Sequence, residues 1–413
     1  MKRRRSLTHL GGTVQSSGDR DLAARLAAAL DVKPAPEPAA TGAATDDVDR
    51  AHVHGFHTYP ARMHPSTAGR LVAAVTASGA TVLDPFCGSG TVLVETIAAG
   101  RRAVGTDLNP LAVRLARLKT TPRDQREREF LVRAARAVAA FADERRERRA
   151  GATRRYGRED VETFDPHVLL ELDSIRAGIA DMNADAATAD ALALVLSAIL
   201  IKVSRRASDT SRREQPRRIA AGFAARLFVR KADELALRLA DYSARLPADA
   251  LPARVEIDDA TQLRSVPASS VDAIVTSPPY LATYDYLAHH ELRMRWLGLD
   301  ARPLVKGEIG ARRRYEHLAS GPARDTWSRE LGRALEAMAR ACRRGARVVL
   351  ILADSAVGSD AIRADSVVSA VAAHAGLRWL ASASQERPHF HGPTAAAFRL
   401  APRSEHAIAL EKR

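Results

Sequence analysis

Residues 81–110 constrain the fold more than any other part of the chain. Thr81–Pro85 is a short apolar run with β-branched residues, which predicts a buried strand. A Gly-Ser-Gly tripeptide at 88–90 follows, and glycine lets a backbone turn tightly against a ligand. Thr91–Ala99 has apolar residues at helical spacing, and a second apolar run leads to Asp107. The sequence therefore predicts a strand-helix-strand unit with a glycine loop after its first strand and an acid at the end of its second.

Such a unit is suited to a ligand that carries a nucleoside. The start of the helix offers free amides, and an acid about twenty residues after the glycines can accept hydrogen bonds from ribose hydroxyls. A P-loop would need Gly-Lys-Ser/Thr after the glycines, and this is not found here. A dinucleotide site would have a small residue where Leu93 stands. Both of these better-known interpretations are therefore weakened.

Residues 84–91, Asp-Pro-Phe-Cys-Gly-Ser-Gly-Thr, resemble the first motif of S-adenosylmethionine-dependent methyltransferases that act on exocyclic amino groups of nucleobases. The resemblance implies an α/β, Rossmann-like class I methyltransferase fold with a seven-stranded, mostly parallel sheet. It implies S-adenosyl-L-methionine as the cofactor and DNA as the partner. Tyr59, in a Tyr-Pro pair before the motif, stands where such enzymes line the methionine end of the cofactor. The implied cofactor contacts are Tyr59, Asp84, Pro85, Phe86, Gly88, Ser89, Gly90, Thr91, Asp107 and Asp258.

The chain divides into four predicted segments. Residues 1–50 are polar and uneven, with one short amphipathic helix and a proline-rich stretch, so we expect a flexible tail and linker. Residues 51–122 and 251–413 should form the two parts of the methyltransferase domain. Between them, residues 123–250 have repeated helical periodicity and are too long for a structureless loop. We predict a helical insertion between the second and third strands and expect it to recognise the target.

The balance of charge favours a polyanionic partner. The formal net charge is +14 and the isoelectric point is near 10.4. An arginine-rich composition can also follow from genome base content, so charge alone does not identify nucleic acid. Two basic stretches, one in the insertion and one near residue 313, are candidates for phosphate contacts. The predicted nucleic-acid contacts are Lys202, Arg205, Arg206, Arg212, Arg213, Arg217, Arg218, Arg312, Arg313 and Arg314.

The third and fourth strands are predicted to end in functional residues. Residues 254–261 form a strand that ends at Asp258 and Asp259, and the resemblance implies that an acid here accepts from the adenine amino group of the cofactor. We favour Asp258. The next strand leads into Ser-Pro-Pro-Tyr at 277–280. The resemblance makes this tetrapeptide the catalytic one, and its members are Ser277, Pro278, Pro279 and Tyr280.

The tetrapeptide suits methyl transfer to an exocyclic amine. Two prolines remove backbone donors and keep the chain extended, so a carbonyl can face the amine. Hydrogen bonds from the amine to Ser277 and the Pro278 carbonyl would favour the transition state, in which nitrogen becomes sp³, while Tyr280 stacks on the base. Methylation of cytosine C5 is excluded because it needs a thiolate, and Cys87 and Cys342 both lie away from this motif in sequence.

Several functions stay open at this point. Ser-Pro-Pro-Tyr is associated in the family with cytosine N4, which we favour over adenine N6. An RNA methyltransferase acting on guanine N2 or adenine N6 is an alternative, as is a catalytically idle nucleic-acid-binding regulator. The stretch at 281–297 interleaves aromatic and basic residues; it could receive a flipped base or be a core helix. The sequence does not say whether a cognate restriction nuclease exists, nor what the oligomeric state is.

The sequence also gives expectations about a metal site, a membrane partner and the cellular compartment. His52, His54, His57 and His64 lie close together, but no acid or thiolate lies between them in sequence, so we predict no metal. Two unpaired cysteines and the lack of an apolar segment after the basic start favour a cytoplasmic protein. We find no window of membrane-spanning length and expect no membrane partner.

Overall fold

The computed structural model describes residues 10–33, 48–211, 218–389 and 391–413. The strands are β1 Val14–Gly18, β2 Thr81–Asp84, β3 Arg102–Asp107, β4 Arg254–Ile257, β5 Val271–Thr276, β6 Cys342–Ala353, β7 Ser355–Val357, β8 Asp360–Ile362, β9 Leu377–Glu386 and β10 Ser404–Lys412. The helices are α1 Arg20–Leu30, α2 Pro65–Val75, α3 Thr91–Ala98, α4 Pro110–Thr120, α5 Gln125–Glu147, α6 Arg158–Thr163, α7 Pro166–Asp181, α8 Ala186–Ile199, α9 Phe223–Ser243, α10 Tyr286–Leu297, α11 Arg302–Gly307, α12 Arg312–Tyr315, α13 Ser320–Ala341 and α14 Ala364–Ala372. Short 3₁₀ turns lie at Val48–Arg50, His52–Gly55, Leu200–Val203 and Gly392–Phe398.

Eight of the described strands form one sheet in the order β1-β9-β10-β6-β5-β2-β3-β4. The pairs from β6 to β4 are all parallel, whereas β10 is antiparallel to both β6 and β9. From β2 the chain moves outward to β3 and β4, then returns to β5 on the other side of β2. This reversal places a topological switch point between β2 and β5, where open α/β sheets bind ligands. The predicted Rossmann-like fold is confirmed.

The eighth strand corrects the prediction of a flexible tail for residues 14–30. β1 pairs with the edge strand β9, which satisfies backbone groups that an exposed edge would leave open. The helix after it, α1, begins where Asp19 accepts from the Leu22 amide at 2.9 Å. Its apolar side, including Leu26, is buried against α2 and β9. The proline-rich part of the predicted linker, residues 34–47, lies outside the described residues.

The span between β3 and β4 contains the predicted helices, but these do not form a separate body. α5, α7, α8 and α9 pack on one another around Leu131, Leu172 and Leu196. The same apolar cluster contains Phe56 and Leu115, which precede the insertion. The insertion therefore shares one core with the first part of the sheet domain.

One stretch of the insertion departs from the expectation about membrane-spanning length. Ala186–Val203 contains 18 residues with a mean hydropathy of 1.9, enough to cross a membrane by length and composition. In the structure 56% of this stretch is buried. Its helix, α8, packs against α4, α5, α7 and α9. Apolar character on all sides is what a helix enclosed by other helices requires.

A buried hydrogen-bonded chain joins three strands at the antiparallel end of the sheet. Ser384 on β9 contacts Nδ1 of His406 on β10 at 2.8 Å, and Nε2 of His406 contacts Asp354 at 3.0 Å. Asp354 follows β6 and also accepts from the amides of Ser404 and Ala364. Burial acts to raise the pKa of Asp354, but the contact with His406 and these amides together keep it below its usual value.

Candidate active site

A cleft of about 870 Å³, partly open to solvent, lies at the carboxyl ends of the parallel strands. The ends of β2, β3, β4 and β5 all contribute to it, which is the position expected at the switch point. Residues from the predicted motifs meet here although they are up to 220 positions apart in sequence, counted from Tyr59 to Pro279. The wall includes Tyr59, Asp84, Gly88, Ser89, Thr91, Asp107, Asp258, Asp259, Ser277, Pro279, Tyr286 and Glu308.

The glycine loop leaves no room for larger residues at two positions. Gly88 has φ 49° and Gly90 has φ 85°, a region that favours glycine. A Cβ at Gly88 would lie 3.1 Å from the ring of Tyr59, and one at Gly90 would lie 3.0 Å from Ala116. Gly90 is also the residue before α3, so the loop delivers the chain directly to the start of that helix. Tyr59 therefore packs closely on the loop, and its contact with the methionine end of the cofactor stays a prediction.

Two carboxyl groups hold the loop, of which Asp84 is buried and Asp107 is half-buried. Asp107 accepts from the Gly88 amide and from the Asn109 amide, both at 2.8 Å. Asp84 accepts from Thr276 Oγ1 at 2.6 Å and from the Phe86 amide at 3.2 Å. Burial raises the pKa of Asp84 to about 7 and that of Asp107 to about 6. Each Asp107 oxygen keeps a lone pair for a further donor, such as a ribose hydroxyl.

The two acids after β4 differ in how much hydrogen-bonding capacity they keep. Asp258 accepts from the Ser265 amide and hydroxyl through one oxygen, at 2.7 and 2.6 Å, and from the Asp259 amide through the other. Asp259 uses one oxygen for the amide and hydroxyl of Thr261, both at 2.8 Å. Its second oxygen receives a longer contact, 3.3 Å, from Gln262. These contacts favour Asp259 over the predicted Asp258 as the acceptor for a ligand.

The Ser-Pro-Pro-Tyr tetrapeptide leaves β5 and turns along the cleft. Ser277 and Pro279 line the wall, whereas Pro278 and Tyr280 do not. The Pro279 carbonyl accepts from the indole N–H of Trp327 at 3.2 Å, and Tyr280 Oη receives a long contact, 3.5 Å, from Ser277 Oγ. A Cβ at Gly310 would lie 2.6 Å from the Tyr280 carbonyl oxygen, so this backbone is held from behind.

Aromatic rings continue from the glycine loop into α10. The ring of Tyr59 stacks on His290 with centroids 4.7 Å apart and on Tyr286 at 6.1 Å. Tyr284 lies 5.9 Å from Tyr286. At the other end of the helix Trp296 is buried in the core of the insertion. The sequence left α10 open between a base-receiving segment and a core helix, and the structure places one end at the cleft and the other in the core.

The sequence analysis missed the wall formed by the segment after α10. Leu304, Gly307, Glu308 and Ile309 line the cleft, although residues 302–314 were interpreted as a basic loop. The Glu308 side chain is only 3% exposed. It accepts from the Tyr286 amide and from Arg313 Nη1, both at 2.6 Å. One feature of the sequence could have indicated a special role for Glu308: it is the one acid between Asp300 and Glu316, in a stretch that is otherwise basic.

Internal ion pairs occupy several residues that were predicted to contact phosphates. Arg205 pairs with Asp165 at 2.7 Å, Arg313 bridges Asp285 and Glu308, and Arg314 pairs with Glu330 at 2.6 Å. These three are therefore weaker candidates than the sequence suggested. Lys202, Arg218 and Arg312 are exposed, and Arg206 is half-buried. Arg212, Arg213 and Arg217 lie outside the described residues.

Arg205 and Arg206 line a second cavity. Its wall contains four carboxylates against these two guanidinium groups. The four acids are Glu159, Glu162, Asp209 and Glu291. Three of these acids already pair with arginines: Glu159 with Arg295, Glu162 with Arg158, and Asp209 with Arg293. The charge of the cavity therefore decides nothing about phosphate, and the contacts of Arg205 and Arg206 stay predictions.

The histidines before α2 acquire an acid that sequence proximity did not reveal. Glu95 from α3 contacts Nε2 of His54 at 2.8 Å, and His52 lies beside them, with candidate ligand atoms within 4.8 Å of one another. Burial, followed by the charges of Lys119 and Arg62, lowers the pKa of His54 well below its usual range. The structure thus adds a third possible ligand to two of the histidines, and the absence of a metal stays a prediction.

Comparison with known proteins finds similarity in the region of the first motif. Residues 40–118 match the family described as DNA methylase. A 72-residue stretch is 44% identical to Type II methyltransferase M.MvaI from Kocuria varians, and a 68-residue stretch is 34% identical to Type II methyltransferase M.MjaII from Methanocaldococcus jannaschii. These stretches cover 17% and 16% of this chain, and only 16% and 13% of the two relatives.

Solved structures with low sequence identity are also similar. The rRNA methyltransferase aviRa from Streptomyces viridochromogenes is 13% identical with a TM-score of 0.32, over 86% of this chain and 88% of that one. The [4+2]-cyclase SpnF is 12% identical with a TM-score of 0.33, over 88% and 87%.

The cofactor indicated by the DNA methylase match and the doubly wound sheet is S-adenosyl-L-methionine. The cleft fits this group in three respects. The backbone of Gly88 lines the wall, with no side chain between it and the cleft. Ser89 is buried in the wall and its hydroxyl has no partner among the described residues. Carboxyl groups that can accept from ribose and adenine line the same space.

Proposed function

We propose that the chain is an S-adenosylmethionine-dependent DNA methyltransferase that modifies an exocyclic amino group, with cytosine N4 as the favoured target. The observation that carries the proposal is that one cleft is lined both by the glycine loop with Asp107 and by Ser277 and Pro279. A nucleoside-binding loop and an amine-accepting tetrapeptide in the same space are what methyl transfer to a base requires.

The residues of the loop would bind and orient the cofactor, which supplies the methyl group. Asp107 would accept from the ribose, Asp259 from the adenine amine, and Tyr59 would pack beside the methionine end. Because Asp107 already holds the Gly88 amide, the position of the ribose and the shape of the loop are coupled. This coupling orders the site before the cofactor enters, which lowers the entropic cost of binding.

Ser277 would accept a hydrogen bond from the target amine as its nitrogen becomes sp³. The amine lone pair is delocalised in the ground state, so an acceptor aligned with the pyramidal nitrogen stabilises the transition state more than the substrate. No covalent intermediate is needed. Burial raises the pKa of the Cys87 thiol well above its usual range and that of Cys342 to about 12, which further disfavours thiolate attack.

DNA is favoured as the polymer because residues 40–118 match the DNA methylase family and the two similar relatives are Type II methyltransferases. The net charge of +14 suits a polyanion. A flipped base could approach Ser277 beside Tyr286, since both residues line the cleft. Cytosine N4 over adenine N6 rests on the serine at position 277, and a cognate restriction nuclease is an expectation that the similarity to Type II enzymes favours.

The test is nucleoside mass spectrometry after incubation of the purified chain with methyl-labelled cofactor and mixed-sequence duplex DNA, with bulk tRNA in parallel. We expect label in N4-methylcytosine. Label in N6-methyladenine would keep the mechanism and refute the base assignment. Label in tRNA alone would refute DNA as the polymer, and bound cofactor without label in either polymer would refute the activity. Ser277→Ala, run in parallel, identifies label that arises from a contaminating enzyme.

A further inference from the structure

The start of α10 and the segment after it meet at the cleft. Tyr286 is the first residue of α10 and lines the wall, and α11 ends at Gly307, which lines it too. A Cβ at Gly307 would lie 2.8 Å from Leu108 Cδ1, so α11 packs directly against the end of β3. Two segments about twenty residues apart therefore converge beside the predicted ribose position.

Glu308 connects these two segments. One of its oxygens accepts from the Tyr286 amide at 2.6 Å, and the other accepts from Arg313 Nη1 at 2.6 Å. The first amides of a helix have no partner within the helix, so a carboxylate at this position also interacts favourably with the helix dipole. A buried carboxylate with a charged partner and a backbone donor is costly to break.

Arg313 extends the connection to Asp285, which precedes α10. Its Nη1 contacts Asp285 Oδ1 at 2.5 Å, and the same oxygen accepts from the Ala288 amide at 3.2 Å. The two acids thus hold two amides of the first turn of α10, at positions 286 and 288. We call Asp285, Glu308 and Arg313 the α10 clamp.

The clamp holds Tyr286, whose ring stacks on Tyr59. Tyr286 lies 6.1 Å from Tyr59, nearly parallel to it at 28°, and Tyr59 packs on Gly88. A shift of the first turn of α10 would move Tyr286 relative to both the glycine loop and Ser277. Misplacement of a positioning residue by about 1 Å is enough to slow a reaction by about 100-fold.

We propose that Glu308 is a positioning residue, which through the α10 clamp fixes Tyr286 in the cleft for methyl transfer. The inference rests on the proposed function for its kinetic consequence. Its structural part, that Glu308 holds the Tyr286 amide, does not depend on what the substrate is.

The test compares Glu308→Ala with Glu308→Gln. Glutamine keeps an oxygen that can accept from the Tyr286 amide, and alanine does not. Asp300→Asn is the matched control, because Asp300 is exposed, pairs with Arg302 and lies in the same part of the chain. Single-turnover methyl transfer to DNA, the KM for cofactor, the thermal midpoint and hydrogen exchange of the Tyr286 amide are measured on each full-length variant.

We expect Glu308→Ala to slow transfer by about 30-fold with a KM for cofactor within about 3-fold of wild type, since the misplaced group acts on turnover. Glu308→Gln should transfer within about 3-fold of wild type. The Tyr286 amide should exchange at least about 10-fold faster in the alanine variant only, because it loses its acceptor.

Transfer at the wild-type rate by Glu308→Ala would overturn the inference, as would unchanged exchange at Tyr286. A glutamine variant as slow as alanine, with an equally lowered thermal midpoint, would show a role in folding alone and would also overturn it. A wild-type chain that methylates no nucleic acid refutes the proposed function instead. Exchange at Tyr286 then decides the structural part of the inference by itself. Protection that is lost in the alanine variant and kept in the glutamine variant supports that part.

Discussion

On the proposed cofactor side of the cleft, the glycine loop and Asp107 belong to one strand-helix-strand unit. Each carboxylate oxygen of Asp107 accepts a hydrogen bond from one backbone amide. On the proposed target side, Ser277, Tyr286 and Glu308 come from three segments. Glu308, paired with Arg313, holds the Tyr286 amide across two of them. The cofactor side is built by local backbone geometry and the target side by contacts between distant elements. Substitutions on the two sides should therefore change different properties: cofactor affinity and stability on one side, and turnover and DNA binding on the other.

The largest expected effect is on the target side. Ser277→Ala should lower kcat by about 100- to 1,000-fold while cofactor affinity stays within about 2-fold, because an interaction made mainly in the transition state is lost. Steady-state transfer to DNA and calorimetric titration of cofactor measure the two quantities. If cofactor affinity falls by the same factor as kcat, Ser277 contributes to cofactor binding, and the division into a cofactor side and a target side is wrong.

The second effect is on stability at the cofactor side. Asp84 has a folded pKa of about 7, above the usual carboxyl value, so ionisation between about pH 4 and pH 7 destabilises the fold without ligand. Asp84→Asn stays neutral and keeps an acceptor for Thr276. It should be more stable than wild type at pH 8 by an amount on the order of 2–4 kcal/mol, with the difference vanishing near pH 4.

Urea midpoints at pH 5 and pH 8, taken without cofactor, check this prediction. Asp272→Asn is the control of opposite sign. Burial acts to raise the pKa of Asp272, but the Thr81 amide and Arg343 lower it overall, so its ionised form stabilises the fold. Its neutral substitute should be less stable than wild type at pH 8. If Asp84→Asn is no more stable than wild type at pH 8, ionisation of the Asp84 carboxyl does not destabilise the fold, and the prediction is wrong.

The third prediction separates the two acids after β4. Asp259→Asn should weaken cofactor binding by about 10-fold, the cost of one good hydrogen bond to a ligand. Asp258→Asn should change the affinity by less than about 3-fold, because its carboxylate is occupied by Ser265 and the Asp259 amide. Calorimetric titration of both variants decides between them, and the reverse ranking would restore the choice made from sequence.

The cofactor side could be predicted from sequence because its geometry is local. The glycines in residues 84–91 predict the turn, and the apolar spacing that follows predicts the helix that begins at Thr91. The strand that ends at Asp107 comes directly after this helix. The choice between Asp258 and Asp259 was not available, since it depends on the hydroxyl and amide of Ser265, seven residues on. Only the folded turn shows that the weaker contact, 3.3 Å from Gln262, falls on an oxygen of Asp259.

The target side was harder to predict for a physical reason. Runs of arginine predict an exposed basic surface, but whether an arginine is free depends on which acids the fold brings near it. Arg313 meets Asp285, which lies 28 residues before it, and Arg314 meets Glu330, 16 residues after it. The same limit applies at the N-terminus, where β1 pairs with β9 more than 350 residues away. Periodicity identified α1 and could not identify that pairing.

The smallest effect tests this difference among neighbouring arginines. Arg312 is exposed and its Nη2 donates to the Thr283 carbonyl at 2.8 Å, whereas Arg313 is held by two acids. Arg312→Ala should weaken DNA binding by about 3-fold at all sequences and reduce the slope of log affinity against log salt by about 1, as one phosphate contact would. Arg313→Ala should leave that slope unchanged and lower the thermal midpoint instead. Fluorescence anisotropy with labelled duplex at several salt concentrations measures the slope. If both variants keep the wild-type slope, neither arginine reaches a phosphate, and the basic surface that contacts DNA would then have to lie elsewhere on the chain.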